Sequence, residues 1–274
     1  MMKNKNETVE SYVCSLIDIL GQKEKLLQLN GIDLKDNLEF SSKIFSETYG
    51  IIKEFRNHTQ KSALFFNQLK QKHSIKSGFT SNPIVVKSFS DLITSFVSLR
   101  DDSHELQFEA VYFLLLSNCE VFLKMLADGV ALRGGIDIGF AIKTEENELY
   151  GNALLNPYIL ESKVSNSIRI VIGQELSNYI EHVLQEEVQS NDSLDYNIAY
   201  AKLCKELIIK DCDGEYILHY LSDELKEMES FEEISQNAKK FLIDKHNELK
   251  IKNQFDIAKK YQQAIKYFER FEIS

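Results

Sequence analysis

The chain has 274 residues, of which 43% are hydrophobic and 27% charged, with only 11 glycines and 2 prolines. This composition is typical of a globular protein with a sizeable core, and it excludes disordered, collagen-like and low-complexity classes. The 42 acidic residues outnumber the 32 basic ones, giving a formal net charge of −10 at pH 7, so we expect no nucleic-acid partner.

The first apolar run, residues 12–20, is too short for a membrane helix, is interrupted by Ser15 and Asp18, and lacks the pattern of a signal peptide. Its β-rich composition predicts instead a strand buried by helices. The four cysteines are scattered without a CxxC pair, which is usual for free thiols. We therefore expect a cytoplasmic protein that binds no membrane.

A helical segment and a hairpin follow the first strand. Residues 22–77 are mostly helical in pattern, with polar interruptions. Residues 83–97 are two β-rich runs that meet at Ser90 and Asp91, which predicts a tight hairpin with Asp91 at its tip.

The next segment alternates between helices and strands. Residues 104–127 carry an apolar stripe at helical spacing, which predicts a long buried helix that ends at Gly129. Residues 131–142 return to a glycine-containing strand, residues 151–164 are helical in pattern, and residues 167–172 form another strand. The order is βαββαβ.

These elements predict an α+β fold, a ferredoxin-like βαββαβ core with a helical insertion after the first strand and helices on one face of the sheet. Residues 1–172 form this core. Residues 173–274 form a mainly helical extension, packed on the core or dimerising it. Within the extension, residues 205–221 predict a second hairpin that turns at Asp213 and Gly214.

Two carboxylates stand out because each interrupts an apolar strand context. Asp18 lies inside LIDILG, and Asp91 is at the predicted hairpin tip. A βαββαβ sheet places its first strand beside that hairpin, so both side chains can converge on a divalent cation, and hard oxygen ligands suit Mg²⁺ or Mn²⁺. The alternatives are a buried carboxylate satisfied by backbone N–H groups for Asp18 and an ordinary turn residue for Asp91.

Four short blocks occur in order on these elements: LIDILG at 16–21, KSFSD at 87–91, RGGIDIG at 133–139 and GNALLNPYILE at 151–161. Together they resemble the catalytic domain of class III nucleotide cyclases, and more narrowly the pyrimidine nucleotide cyclases of bacterial Pycsar anti-phage defence. The resemblance implies an enzyme that converts UTP or CTP to the 3′,5′-cyclic monophosphate and pyrophosphate. The product would be a second messenger that acts on a separate cyclic-nucleotide-responsive effector.

The same resemblance implies the site. Asp18, Asp91 and the backbone carbonyl of Ile19 would hold two Mg²⁺ or Mn²⁺ ions within one chain, and a homodimer would share two active sites across its interface. Arg133 would contact phosphate, an ion pair at the surface or interface being its alternative. The residues assigned to nucleotide binding are Gly21, Lys87, Ser90 and Asn156.

The last block departs from the classical cyclases, which carry there an Asn and, four residues on, an Arg that hold the ribose and the developing charge. An ungapped alignment puts Leu155 and Ile159 at those positions, and Asn156 is one residue off register. The next arginine is Arg169, so either Arg133 supplies the charge or the turnover is low. The departure favours a pyrimidine triphosphate as substrate.

Two other functions stay open. One is a class III cyclase that uses ATP or GTP. The other is a catalytically silent interaction protein, with the charged helices of residues 222–271 as its binding surface.

Overall fold

The structure is a computed structural model that describes residues 8–30, 38–77, 82–100, 106–146, 148–189 and 196–271. It has the predicted α+β fold, with one eight-stranded sheet and helices packed on it. In chain order the elements are β1 (Val9–Ile19), α1 (Gln22–Leu27), α2 (Leu38–Ser77), β2 (Val85–Phe89), β3 (Leu92–Ser98), α3 (Phe108–Ala127), β4 (Leu132–Lys143), β5 (Leu149–Gly151), α4 (Asn152–Ile159), β6 (Ile170–Ile172), α5 (Gln174–Gln189), α6 (Tyr196–Glu206), β7 (Ile208–Lys210), β8 (Tyr216–Leu218), α7 (Asp223–Lys226), α8 (Phe231–Ile251) and α9 (Phe255–Phe271).

The strand order is β2-β3-β1-β4-β6-β8-β7, and β5 pairs with the outer part of β4. Strand β1 is antiparallel to β3 on one side and to β4 on the other, whereas β4 and β6 are parallel. The predicted βαββαβ order and both predicted hairpins are present. The three-residue strand β5 was not predicted, because it is too short to show as a period-2 pattern.

The sheet carries helices on both faces, whereas the sequence predicted helices on one. Val13 and Ile17 of β1 belong to the main core, which includes α3. Their neighbours Tyr12 and Cys14, which alternate with them along the strand, point to the opposite face and pack with Ala153 of α4. Successive side chains of a strand alternate between faces, so the same strand supports both layers.

Helix α3 is the central helix of the main core. By length and hydropathy it would pass as a membrane span, but 72% of its apolar window is buried inside the protein. It ends at Ala127 and Gly129 follows as the predicted stop, with a φ of 80° that glycine readily adopts and an N–H that donates to the carbonyl of Leu126. Residues 104 and 105, which the sequence assigned to this helix, lie outside the described ranges.

Helix α4 lies unusually close to β4 on the second face. A Cβ atom at Gly135 would come 2.5 Å from the carbonyl oxygen of Pro157, and one at Gly139 would come 2.6 Å from the amide nitrogen of Ala153. Only glycine leaves room for this approach. The helix runs through Pro157 and continues into a π-helical turn, Leu160–Val164.

The C-terminal half extends the same sheet. Strand β8 pairs with β6, and helix α8 packs on α3. The buried guanidinium of Arg169, just before β6, joins the β7–β8 hairpin through Asp211 at 2.6 Å and Asp213 at 2.7 Å. These two ion pairs connect the hairpin to the strand that lies beside β4.

We expect Arg169→Ala to lower the free energy of unfolding by about 3 kcal/mol, because it leaves the largely buried carboxylate of Asp211 without its counter-charge. Urea denaturation measures the change. The control is Lys205→Ala, which removes an exposed ion pair to Glu181 and should cost less than about 1 kcal/mol. Equal losses in the two variants would contradict this role of Arg169.

Candidate functional site

Arg133 lies between two carboxylates on the face of the sheet that carries α4. It stands opposite Asp18 in the register of β1 and β4, and its Nη2 is 3.4 Å from Oδ2 of Asp18. Its Nε is 2.7 Å from Oε1 of Glu161, which is almost fully buried in the π-helical turn. The end of β1, the start of β4 and the turn after α4 therefore meet at one guanidinium.

The β2–β3 turn brings Asp91 to the same end of the sheet. We call this place, with Asp18, Ile19, Asp91, Arg133 and Glu161, the corner. The β1–β3 register pairs Asp18 with Leu92, and its continuation by one residue places Ile19 opposite Asp91. The N–H of Leu99 donates to the carbonyl of Ser11 across these strands. Since backbone groups alternate in direction along a strand, the carbonyl of Ile19 points toward the side of Asp91. The three predicted metal ligands are thus neighbours in the sheet.

Negative charge is crowded at this corner. Burial, reinforced by the charges of Asp91 and Glu161, raises the pKa of Asp18 to about 6, and the Arg133 guanidinium opposes this shift. Burial also raises the pKa of Glu161, against the effect of Arg133 and with that of Asp91. Among the described residues three carboxylates influence one another around the Arg133 guanidinium, so this part of the site has a deficit of positive charge.

Oxygen donors of the kind that a divalent cation binds lie at this corner. Although Arg133 Nε and Glu161 Oε1 are in ion-pair contact, both buried atoms lack a hydrogen-bond partner among the described residues. Within those ranges no group of three or more His, Cys, Asp and Glu is placed to hold a metal. The ligands that the resemblance implies remain candidates: the side chains of Asp18 and Asp91 with the carbonyl of Ile19, which are hard oxygen donors of the kind that Mg²⁺ or Mn²⁺ binds.

Asn156, assigned to nucleotide binding by the resemblance, has a partner inside the fold. Its Nδ2 donates to the carbonyl of Ile138 at 3.1 Å, while Oδ1 of Asn152, one helical turn earlier, accepts from the N–H of Phe140 at 2.7 Å. Both amides satisfy backbone groups of β4 beyond the part that pairs with β6. They help to hold α4 against β4.

The other predicted nucleotide-binding residues surround the corner less tightly. The ammonium group of Lys87 donates to the carbonyl of Glu146 in the turn before β5. Gly21 is exposed and adopts φ 88° directly before α1, two residues after Ile19. Ser90 precedes Asp91 in the turn, and its carbonyl accepts a hydrogen bond from Arg56.

The contact of Glu161 with Arg133 was not predicted from the sequence. This residue closes the fourth block, but its approach to Arg133 depends on the π-helical turn and on the close contact of α4 with β4. In the sequence Glu161 appears only as a single acidic residue that follows an apolar helix. That signal is common on protein surfaces and does not predict burial.

No family model and no curated protein sequence matches this chain. Among solved structures, a bacterial light-regulated adenylyl cyclase is similar to it with a TM-score of 0.43 and 10% sequence identity. The similarity covers 87% of this chain and 59% of that one, so the chain spans about three fifths of the length of the solved structure.

We expect Asp18→Asn to raise the melting temperature by about 5 °C at pH 7.5, because it removes a buried carboxylate whose ionised form costs about 2 kcal/mol there. The folded-state pKa lies above the usual value. The cost is therefore absent below pH 4, grows as the pH rises toward 6, and is complete above 6.

Differential scanning calorimetry at pH 7.5 and pH 4 tests whether the gain in melting temperature depends on pH in this direction. Asp128→Asn is the control, since Asp128 is an exposed partner of His58 and should give no gain in melting temperature. A gain for Asp18→Asn that is equally large at pH 4, or a loss at pH 7.5, would contradict the prediction.

Proposed function

We propose that this chain is a metal-dependent nucleotide cyclase that converts UTP or CTP to the 3′,5′-cyclic monophosphate and pyrophosphate. The observation that carries the proposal is the corner where β1 ends beside the β2–β3 turn. There Asp18, Asp91 and the backbone of Ile19 gather hard oxygen donors, and Arg133 adds one guanidinium. Transfer of a phosphoryl group from a nucleoside triphosphate depends on such positioning and charge stabilisation.

Asp18, Asp91 and the Ile19 carbonyl would hold the Mg²⁺ or Mn²⁺, as two ions per site. When bound, the ions lower the pKa of the ribose 3′-hydroxyl and neutralise the pyrophosphate leaving group. Two carboxylates and one carbonyl leave the remaining ligand positions to phosphate oxygens and water, which is the usual arrangement for Mg²⁺.

The reaction forms a bond between the ribose O3′ and the α-phosphorus and breaks the bond from that phosphorus to the oxygen that bridges to the β-phosphate. Pyrophosphate leaves with the bonding electron pair, and the 3′-hydroxyl proton passes to water. Asp18 and Glu161 lie in ion-pair contact with Nη2 and Nε of Arg133, so among the described residues its Nη1 remains to donate to a phosphate oxygen as negative charge accumulates. Direct in-line displacement needs no protein nucleophile.

The choice of a pyrimidine rests on helix α4. Where the classical cyclases carry the Asn and Arg that hold the ribose and the developing charge, α4 has Leu155 and Ile159, and both are exposed. This departure is the one that the resemblance to Pycsar cyclases implies. We accordingly propose that the product is a cytoplasmic messenger in anti-phage defence that acts on a separate effector.

A homodimer with shared sites is part of the proposal. The face that carries Asp18 exposes Phe89 at 81%, and the outer side of α4 exposes Leu155 and Tyr158 at 52% each. Phe89 shares this face because it pairs with Leu92, which in turn pairs with Asp18. A second copy that covered these side chains would close the open side of the corner and exclude water from the triphosphate.

The proposal predicts that the purified chain with Mn²⁺ forms cyclic UMP or cyclic CMP, whereas Asp18→Asn and Asp91→Asn each lower product formation at least about 100-fold because each removes a ligand of the metal. Separate incubations with ATP, GTP, CTP and UTP, read by mass spectrometry, identify the base. Asp128→Asn is the matched control and should keep full activity.

Cyclic AMP or cyclic GMP as the product would keep the site and overturn the pyrimidine assignment. Undiminished activity in both Asp18→Asn and Asp91→Asn would overturn the assignment of these two residues as metal ligands. No product with any of the four nucleotides, together with no binding of Mn²⁺ and triphosphate by calorimetry, would favour the silent interaction protein.

We expect Tyr158→Glu to dissociate the dimer, because a carboxylate in an apolar contact must be desolvated without a partner. Light scattering after size-exclusion chromatography measures the mass. Phe255→Glu is the control, as Phe255 is similarly exposed but lies at the start of α9. A wild-type chain that is monomeric at every concentration, with and without nucleotide, would contradict the shared site.

A further inference from the structure

Helix α2 holds the edge strand β2 at both ends. At the start of the strand, the side chain of Asn67 donates to the carbonyl of Ile84 at 3.1 Å and accepts from its N–H at 2.7 Å. After the end of the strand, Nη2 of Arg56 donates to the carbonyl of Ser90 at 2.7 Å. The two side chains are about three helical turns apart, close to the length of the strand they hold.

The Arg56 contact falls on the one strained residue of the hairpin. Ser90 has φ 55°, a left-handed conformation that non-glycine residues rarely adopt. It occupies the first central position of a two-residue turn, where glycine is the usual choice. A strained residue persists only where its surroundings stabilise it, and the contact with Arg56 is made by the carbonyl of Ser90 itself.

Helix α2 is well anchored at this point. Phe55, next to Arg56, is fully buried in the main core, so the helix cannot shift easily along the sheet. The carbonyl of Ser90 is the one hydrogen-bond acceptor that the described residues offer to the Arg56 guanidinium, whose buried Nε has no partner among them. The hydrogen bond from Arg56 therefore fixes the turn relative to α2.

We propose that Arg56 is a positioning residue that holds the strained turn at Ser90, so that Asp91 stays opposite Ile19 and close to Asp18. The role of Asp91 as a metal ligand rests on the proposed function. Without the contact, Ser90 relaxes out of the left-handed region, and the direction of the next residue, Asp91, changes with it. Arg56 itself touches no reacting atom.

Hydrogen exchange of the full-length chain tests the contact without metal or substrate. Arg56→Met keeps the length of the side chain but removes its donors, and we expect exchange in residues 84–92 to become at least about tenfold faster as the turn opens more often. Lys53→Met, on an exposed position of the same helix, should leave exchange unchanged. Unchanged exchange in Arg56→Met would overturn the proposal.

Mn²⁺ affinity in the presence of nucleotide, measured by the electron paramagnetic resonance of free Mn²⁺, tests the consequence for Asp91. We expect Arg56→Met to weaken the affinity about tenfold. Adding Ser90→Gly should restore most of it, because glycine adopts the left-handed conformation without strain. A merely structural contact would show no such rescue.

The two measurements separate this proposal from the function on which it rests. Faster exchange with unchanged Mn²⁺ affinity would overturn the positioning of Asp91. A wild-type chain that binds no Mn²⁺ would overturn the proposed function, and the exchange comparison would still decide whether Arg56 holds the turn.

Discussion

Helix α4 lies against β4 with only glycine between the two backbones. A Cβ atom at Gly135 would stand 2.5 Å from the Pro157 carbonyl, so any other residue would push the helix outward. Because the helix is this close, the π-helical turn that follows it brings Glu161 onto the Arg133 guanidinium. Arg133 is then held opposite Asp18, and the charge balance of the corner depends on this one backbone contact.

The corner joins two elements of unequal rigidity. Asp18 and Ile19 belong to β1, which is paired along most of its length on both sides. Asp91 belongs to a turn at the edge of the sheet, and edge hairpins open more readily than central strands. Helix α2 compensates by holding the edge strand at Asn67 and at Arg56. The helical insertion after the first strand thus supports Asp91, a carboxylate of the corner that lies outside the paired strands.

The C-terminal half is part of the same architecture. Strand β6 runs parallel to β4 from the Gly134 register onward, directly after Arg133, and β8 continues the sheet from β6. Arg169 joins the β7–β8 hairpin to this region through two aspartates. Strand β4 is therefore supported by β1 on one side and by the C-terminal strands on the other. A carboxylate cluster with a deficit of positive charge needs such support, since it destabilises the fold where it stands.

The sequence alone determined the order of the elements, the hairpin at Ser90 and Asp91, the end of α3 at Gly129 and the proximity of Asp18 to Asp91. These depend on turn chemistry and on hydrophobic periodicity, which are local, and on the rule that places the first strand of a βαββαβ sheet beside the hairpin. Only the tertiary structure decided that α4 lies on the second face of the sheet, that Glu161 reaches Arg133 and that Arg56 holds the turn. Those contacts join residues tens of positions apart, and they depend on close backbone packing that no local pattern encodes.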